Sequence, residues 1–424
     1  MTSTSARKLA AQRPPMGWNS WDCFGGAVTE DQVVANAEFM AAELLPYGWD
    51  TVVVDIQWYE PDPGIEHGYN PVADPVLDAW GRQLPAPNRF PSAADGSFKA
   101  LADRVHALGL KFGVHMMRGI PKKAVELDLP VLGGDTTAAQ IADRENACTW
   151  NPDNYGIDHS KPGAQAFYDS QLALFAEWGV DFVKLDDVLH PPTQSVEIAA
   201  YSRAIDKCGR PIVLSLSPGK ALSFAHLQAL RENAEMWRIS DDLWDDWESL
   251  KEMFQRAARW APHQVPGAWG DADMLPLGRI GITAHAGPDR FSRLNFDEQR
   301  TMLTLWCAMR SPLMFGGHLP DTPPETLALL QNHEVLALLE SSGSREVVRD
   351  HDLVVWRVEL DGAEACAVFW LGDEAADLEV HLADVGSAHR TSARDLWAGE
   401  AVPVKDGSVR VRVPAHGARL LRLE

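Results

Sequence analysis

The chain has 424 residues, of which 46% are hydrophobic, so it can bury a sizeable core in one large domain or in two. Its formal net charge is −22, from 60 acidic and 38 basic side chains. A nucleic-acid or anionic-membrane partner needs a basic face, so this balance argues against both. No apolar run reaches the ~18 residues of a membrane span, and the N-terminus "MTSTSARKLAAQRPP" has no apolar signal segment.

Five scattered cysteines, an odd number without C-x-x-C spacing, predict neither a disulfide framework nor a zinc cage. The predicted strands also lack the H-x-H pairs that a metal-dependent barrel hydrolase would use. We therefore expect no metal and no cofactor, and a reducing, cytoplasmic setting.

Eight short apolar runs alternate with amphipathic, helix-like windows along the first 320 or so residues. This alternation predicts a (β/α)8 barrel. The rival, a doubly wound sheet, lacks a G-x-G-x-x-G turn after the first strand. The predicted strands are 16–21, 51–58, 111–117, 182–188, 211–217, 236–240, 267–273 and 312–317, and the clearest helical windows are 31–45, 162–178, 247–258 and 297–309.

The pattern changes near residue 340, where short alternating apolar runs separated by turns begin. They predict a small antiparallel β-sandwich. We therefore divide the chain into a catalytic barrel, residues 1–335, and a sandwich, residues 336–424. The stretch 62–95 is rich in Pro, Gly and Asp and is predicted to be a long loop over the active face of the barrel. The sandwich runs are 353–360, 365–371, 378–382, 409–413 and 418–423.

Strand alternation predicts which polar side chains line the barrel mouth, because successive residues point to opposite faces. In "FVKLDD" (182–187) the apolar set faces the helices, so Lys184 and Asp186 point inward together. A lysine two residues before an aspartate favours the ionised carboxylate, although a purely structural ion pair would give the same pattern.

The same reasoning applied to the other strands fills the mouth with polar groups. In "MWRISDD" (236–242), Arg238, Ser240 and Asp242 share the inward set, which favours Asp242 over Asp241. Carboxylates, two cations and a chain rich in tryptophan suit a polyhydroxylated ligand. The further inward residues are His115, Ser215, Ser217, Asp271 and Asp273.

Two inward aspartates on different strands, Asp186 and Asp242, indicate glycoside hydrolysis by a nucleophile and an acid/base. A retaining enzyme holds such a pair ~5–5.5 Å apart and an inverting enzyme ~6.5–9.5 Å apart, and strands four and six are near enough for the shorter gap. A non-catalytic carbohydrate-binding barrel is the alternative of a different class. The expected partner is a plant-derived oligosaccharide or glycoside, and a homo-oligomer is compatible with the sequence.

Five motifs give the chain a recognisable pattern: "PPMGWNSWDCFGG" (14–26), "VDIQW" (54–58), "WGVDFVKLDD" (178–187), "WRISDDLWDDW" (237–247) and "GDADML" (270–275). They appear in family order, and together they resemble glycoside hydrolase family 27, the α-galactosidase family. The resemblance implies a retaining double displacement, in which Asp186 of the K-x-D motif is the nucleophile and Asp242 the acid/base. It also implies a trailing β-sandwich.

The resemblance also assigns substrate contacts. It implies that Trp21 stacks on the sugar, that His115 stands where many relatives have tyrosine, and that Ser217 helps to read the sugar 2-position. The remaining implied contacts are Asp55, Lys184, Arg238 and Asp273.

Two positions depart from the family pattern. Val188 stands where relatives often have a cysteine that pairs with one like Cys148, which implies that this disulfide is absent. Ile56 stands where typical α-galactosidases have the second aspartate of D-D-x-W. An apolar side chain there would fill the space left by a missing hydroxymethyl group, and the resemblance narrows to the β-L-arabinopyranosidase members of the family. We therefore expect β-L-arabinopyranosidase activity with side activity on α-D-galactosides.

Two alternatives remain open at this stage. The protein could be an α-galactosidase that uses the same mechanism. Ile56 could also face the helix layer with Val52 and Val54, as strict strand alternation would place it.

Overall fold

The computed structural model describes residues 6–64, 69–70, 73–151, 153–284 and 286–424. Eight parallel strands form one sheet, and each lies inside one of the eight runs predicted to be strands. The predicted barrel is therefore confirmed. The strands are β1 (Met16–Asn19), β2 (Thr51–Val54), β3 (Lys111–Met117), β4 (Phe182–Asp186), β5 (Val213–Leu216), β6 (Met236–Arg238), β7 (Trp269–Asp271) and β8 (Leu313–Phe315).

The sheet closes on itself at a seam between β7 and β8. Leu275, four residues after the end of β7, makes a parallel bridge to Phe315. Its backbone N–H donates to the Met314 carbonyl at 2.7 Å, and its own carbonyl accepts from the Gly316 N–H at 2.9 Å. Closure places the carboxyl ends of all eight strands at one rim, which is where barrel enzymes carry their active sites.

Helices return the chain from one strand to the next and cover the outside of the barrel. Their ends follow local capping rules: the Asn295 side chain accepts from the amides of Asp297 and Glu298. The principal helices are α1 (Glu30–Glu43), α2 (Lys99–Ala107), α3 (Ala164–Trp178), α4 (Ser195–Cys208), α5 (Leu227–Asn233), α6 (Trp247–Trp260), α7 (Phe296–Met309) and α8 (Pro324–Leu330). Shorter helices are Ala6–Ala10, Trp21–Phe24, Lys122–Glu126, Ala138–Ile141 and His333–Leu336.

Several strands end earlier than their apolar runs predict, and β2 is the case that bears on the site. It ends at Val54, because the Asp55 amide donates to Ser20 Oγ at 3.0 Å instead of joining the ladder. The Ile56 amide then donates to the Asp55 carboxylate at 2.9 Å. Ile56 therefore lies in a turn, and strand alternation does not decide which way its side chain faces.

The C-terminal residues form the predicted antiparallel sandwich. A six-stranded sheet contains Gly343–Asp350, Leu353–Leu360, Ala363–Trp370, Ala418–Leu423, Ala393–Asp395 and Glu400–Val402, and a three-stranded sheet contains Ala376–His381, Ser408–Val413 and Val404–Lys405. Buried residues from both sheets share one core, including Val355 and Val368 from the first and Val380 and Val409 from the second. Edge strand Gly343–Asp350 was missed because its charged residues hide the alternation.

Helices α6 and α7 both contact His416 of the sandwich. Thr301 donates its hydroxyl to the His416 carbonyl at 2.7 Å, and the His416 ring stacks on Trp247 with 4.0 Å between ring centroids. Among the helices of the described residues, none is long and apolar enough to cross a membrane.

Candidate active site

The floor of the barrel mouth is a chain of polar and charged groups at the carboxyl ends of β1 to β4. Lys184 Nζ lies 3.0 Å from Asp55 Oδ2, and the Asn19 side-chain amide donates to the same oxygen at 2.8 Å. Burial acts to raise the pKa of Asp55, but the charges of Lys184 and His115 and the Asn19 hydrogen bond outweigh it and lower the pKa. Asp55 is thus a fixed, ionised acceptor.

Asp186, the last residue of β4, is held by a different set of donors. His115 Nε2 lies 3.0 Å from its Oδ2, and the Asp187 amide donates to its Oδ1 at 2.8 Å. Burial opposes ionisation of Asp186, yet the His115 hydrogen bond and charge, followed by the Lys184 charge, bring its pKa well below the ordinary value. The expected ionised state thus depends first on His115, because the direct partner of Lys184 is Asp55 and not Asp186.

A second charged cluster surrounds Arg238 at the end of β6. The buried guanidinium lies 2.7 Å from Asp273 and 3.3 Å from Asp242, whose side chain is 56% exposed. Burial raises the pKa of Asp273 to about 7; Arg238 opposes this rise, and the charges of Asp242 and Asp271 add to it. Asp242 is therefore an accessible carboxylate beside the buried ion pair of Arg238 and Asp273.

Asp22 is a buried carboxyl group that the sequence analysis did not single out. It lies in the single-turn helix after β1 with 3% of its surface exposed, and its Oδ2 has no hydrogen-bond partner among the described residues. Gly316 makes room for it, since a Cβ there would come within 1.9 Å of Oδ2. Burial, followed by the charges of Asp273 and Asp242, holds the pKa of Asp22 well above its ordinary value.

We expect Asp22→Asn to stabilise the protein more as the pH rises. A carboxyl whose pKa is raised by folding makes the protein less stable as the pH rises from the unfolded pKa, ~3.9, to the folded pKa. The free energy of unfolding falls by ~1.4 kcal/mol for each pH unit in this range. Asparagine keeps the shape and does not titrate. Urea midpoints measured from pH 4 to pH 8 should match near pH 4 and then separate in favour of the variant; a gap that narrows with pH would contradict the assignment.

Tyr69 covers the mouth from the loop that follows β2. Its ring stacks on Trp21 at 5.3 Å between centroids with an interplanar angle of 25°. Burial, together with the charges of Asp186, Asp242 and Asp55, raises the pKa of Tyr69 well above its ordinary value. Carboxylates of both charged clusters therefore disfavour ionisation of this tyrosine. Sequence reasoning predicted the loop over the mouth but not this residue, because irregular loops have no periodicity.

A buried polar cluster ties this loop to the end of β2. Gln57 donates its side-chain amide to Asp153 at 2.8 Å and accepts from the Asn70 amide at 3.0 Å, and the Tyr59 hydroxyl donates to Asp153. Ile56 is buried, and in the sequence it stands between Asp55 and Gln57. Its two chain neighbours thus both belong to the polar network at the mouth.

Two serine hydroxyls at the mouth are buried without a hydrogen-bond partner among the described residues. They belong to Ser217, just after β5, and Ser240, just after β6. An unpaired buried hydroxyl is costly, so a ligand with hydroxyl groups fits this position well. The structure thus brings together around one mouth the sequence-predicted residues Trp21, Asp55, His115, Lys184, Asp186, Ser217, Arg238, Asp242 and Asp273.

The described residues hold no group of three or more His, Cys, Asp or Glu side chains arranged for a metal ion. All five cysteines are free, Cys148 among them. The chemistry of the mouth is that of carboxylates, two cations and hydroxyl groups.

Comparison with known proteins identifies the family. A family model described as Alpha galactosidase A matches residues 155–341, and one described as Alpha galactosidase C-terminal beta sandwich domain matches residues 350–423. The structure is also similar to the GH27 β-L-arabinopyranosidase from Geobacillus stearothermophilus, with 48% identity, a TM-score of 0.96 and coverage of 100% of this chain and 98% of that one. The chain belongs to glycoside hydrolase family 27.

More distant relatives of this family 27 hydrolase are α-galactosidases. Alpha-galactosidase 2 of Arabidopsis thaliana is 25% identical over 97% of this chain and 90% of its own length. Alpha-galactosidase I from Mortierella vinacea shares the fold with a TM-score of 0.77 at 22% identity, and the alignment covers 99% of this chain and 98% of that one. The resemblance seen in the sequence motifs and the glycoside hydrolase class are therefore confirmed.

Proposed function

We propose that this hydrolase removes terminal β-L-arabinopyranosyl residues with retention of configuration, with side activity on α-D-galactosides. The observation that carries the substrate preference is Ile56, an apolar residue whose amide is bonded to the site carboxylate Asp55. A variant of the relative from Geobacillus stearothermophilus has been solved in complex with arabinose, which supports the same substrate class.

Asp186 acts as the nucleophile in this proposal. Its carboxylate attacks the anomeric carbon, an ester bond to the sugar forms, and the glycosidic bond breaks with its electrons passing to the aglycone oxygen. The lowered pKa of Asp186 keeps the attacking oxygen ionised, and the hydrogen bond from His115 at 3.0 Å fixes its direction.

Asp242 acts as the acid and then as the base. It donates a proton to the departing aglycone oxygen, and in the second step it takes a proton from the water that cleaves the ester. Its exposed carboxyl is open to both the leaving group and water, while Arg238 at 3.3 Å restrains it. All these groups lie in the proposed catalytic unit, residues 1–335, and the sandwich, residues 336–424, supplies none of them.

The other predicted residues bind the sugar. Asp55 accepts hydrogen bonds from ring hydroxyls while Lys184, at 3.0 Å from Asp55, donates one. Arg238 and Asp273 offer a donor and an acceptor held 2.7 Å apart. Ser217 supplies its unpaired hydroxyl to the sugar 2-position, and Trp21 gives an aromatic face.

Ile56 sets the preference between the two sugars. An α-D-galactosyl and a β-L-arabinopyranosyl unit share ring stereochemistry, and the pentose lacks only the C6 hydroxymethyl group. A carboxylate at position 56 would contribute a charge-assisted hydrogen bond of ~1.5–3 kcal/mol to the galactose hydroxyl. Isoleucine removes that bond and fills the space beside a pentose ring, so the pentose loses nothing and the hexose loses a partner.

Kinetics on two substrates test the preference. We expect kcat/KM to be higher for nitrophenyl β-L-arabinopyranoside than for nitrophenyl α-D-galactopyranoside, and Ile56→Asp to shift the ratio about 10- to 100-fold towards galactoside. Ile56→Val, which keeps an apolar side chain, is the matched control and should leave the ratio close to that of the native enzyme.

Two results would count against the proposal. A native enzyme that favours the galactoside, with no change in Ile56→Asp, points to an α-galactosidase in which position 56 does not reach the sugar. NMR of the first-formed product separates the mechanism from the preference: the β anomer of L-arabinopyranose indicates retention, and the α anomer indicates inversion.

A further inference from the structure

Three aromatic side chains, Trp21, Tyr69 and Trp150, form a continuous row that we call the aromatic row. Tyr69 stacks on Trp21 at 5.3 Å between centroids and contacts Trp150 at 5.8 Å with an interplanar angle of 43°. Trp21 is buried, whereas Trp150 is 38% exposed. The row thus leads from the inside of the site to solvent.

The inner end of the row is fixed to the floor of the site. The Trp21 amide donates to Asn19 Oδ1 at 2.8 Å, and the Asn19 side-chain amide donates to Asp55 at 2.8 Å. The charges of Asp186 and Asp242, the two carboxylates that flank the cleaved bond, also act on Tyr69. Trp150 lies in the loop after β3, three residues before Asp153, which is bonded to Gln57 at 2.8 Å. This anchor fixes the loop that carries the outer end of the row.

We infer that Trp150 is an aglycone subsite, on which the first ring of the leaving group, a neutral sugar or an aryl ring, stacks. The inference rests on the proposed function, because it takes Asp186 and Asp242 as the groups that flank the cleaved bond. A substrate whose terminal sugar lies beyond Tyr69 must place its next ring on the way to solvent, and Trp150 offers the exposed aromatic face there.

The charges of the mouth restrict the chemistry of this ring. The Asp153 carboxylate is three residues from Trp150, and Asp186 and Asp242 flank the bond that would be cleaved. These carboxylates would repel an anionic aglycone but not a neutral ring. The subsite therefore takes a neutral ring with an apolar face, such as the carbon–hydrogen face of a hexose or a phenyl group.

Trp150→Ala separates this role from a general one when three substrates are compared. They are β-L-arabinopyranosyl fluoride, which has no aglycone ring, nitrophenyl β-L-arabinopyranoside, and a disaccharide with arabinopyranose linked to a neutral hexose. We expect kcat/KM to fall about 3- to 10-fold for the two substrates with a ring and to stay unchanged for the fluoride. Trp150→Phe, which keeps an aromatic face, should recover part of the loss.

Trp80→Ala is the matched control. Trp80 is 37% exposed, almost the same as Trp150, but lies beside the Arg82 guanidinium at 5.2 Å and has no ring contact with the row among the described residues. It should leave all three rates unchanged. Equal losses on the fluoride and on the ring substrates in Trp150→Ala, or no loss on any of them, would overturn the inference.

The comparison stays informative if the sugar preference is wrong. An enzyme that favours galactosides is tested in the same way with α-D-galactosyl fluoride, nitrophenyl α-D-galactoside and a galactosyl disaccharide. If Trp150→Ala then lowers kcat/KM only for the galactosides that carry an aglycone ring, the subsite is supported although the arabinoside preference is wrong. If the loss does not depend on the ring, the subsite alone is rejected.

Discussion

Asp186→Asn should lower kcat/KM by about 10⁴-fold or more while leaving the fold and sugar affinity in place. An amide cannot form the ester that the double displacement needs. It keeps the size of the carboxylate, and its oxygen can still accept a hydrogen bond from His115, which lies 3.0 Å from Asp186 in the native protein. Turnover of the nitrophenyl glycoside and equilibrium binding of L-arabinose, measured by calorimetry on the same preparation, check the two parts of this expectation.

Asp187→Asn is the matched control for this experiment. Asp187 is the next residue, is also buried, and pairs with Arg118 at 2.8 Å. Its backbone amide, which donates to Asp186 at 2.8 Å, is retained in the variant. We expect a loss of stability of a few kcal/mol from the weakened ion pair, with far less effect on turnover. A larger catalytic loss in Asp187→Asn than in Asp186→Asn would reject the assignment of the nucleophile.

Asp242→Ala should produce a loss that depends on the leaving group. For an alkyl or sugar aglycone, which needs protonation, kcat/KM should fall about 10²- to 10⁴-fold, the usual contribution of a general acid. For a dinitrophenyl glycoside, which leaves unaided, kcat/KM should change little, while kcat falls because the second step has lost its base. A series of aryl glycosides of graded leaving-group pKa measures this dependence.

Azide gives an independent readout of Asp242. The small anion can enter the space left by the truncated side chain and attack the glycosyl-enzyme without a base, so it should restore kcat and yield β-L-arabinopyranosyl azide. Asp241→Asn is the control, because the Asp241 carboxylate accepts from the Lys220 amide at 3.2 Å and lies one residue from Asp242. Azide rescue of an Asp241 variant, with none for Asp242→Ala, would show that the acid/base had been placed one residue too late.

The barrel and much of the mouth could be predicted because both depend on strand periodicity. The alternation in β4 separates Lys184 and Asp186 from their apolar neighbours, and in β6 it separates Arg238 from Trp237. The β-sandwich was predictable for the same reason, except for its charged edge strand and three short strands, Ala393–Asp395, Glu400–Val402 and Val404–Lys405. The spacing predicted that Lys184 favours the ionised form of Asp186, and the Lys184 charge does lower the pKa of Asp186. It could not show that the ammonium group pairs directly with Asp55, because spacing within one strand carries no information about a neighbouring strand.

The remaining site residues lie where periodicity ends. Asp22 lies in a single helical turn, and Tyr69 in a loop without regular structure. Their positions depend on contacts between residues that are distant in the sequence. Asp22 occupies the space left by the missing side chain of Gly316, and Tyr69 stacks on Trp21. Ile56 was noticed through a family motif, and its local conformation followed only from the early end of β2.

The excess of carboxyl groups around the mouth also makes it an electrostatic filter for whole sugars. Both cations of the mouth already have acidic partners: Lys184 pairs with Asp55, and Arg238 pairs with Asp273 and Asp242. A uronic acid, which has the size of a hexose and carries a negative charge, would find both cations already paired and would bury its carboxylate without a counter-charge. The site can thus reject acidic sugars without any steric contact, and a neutral pentose or hexose passes unopposed.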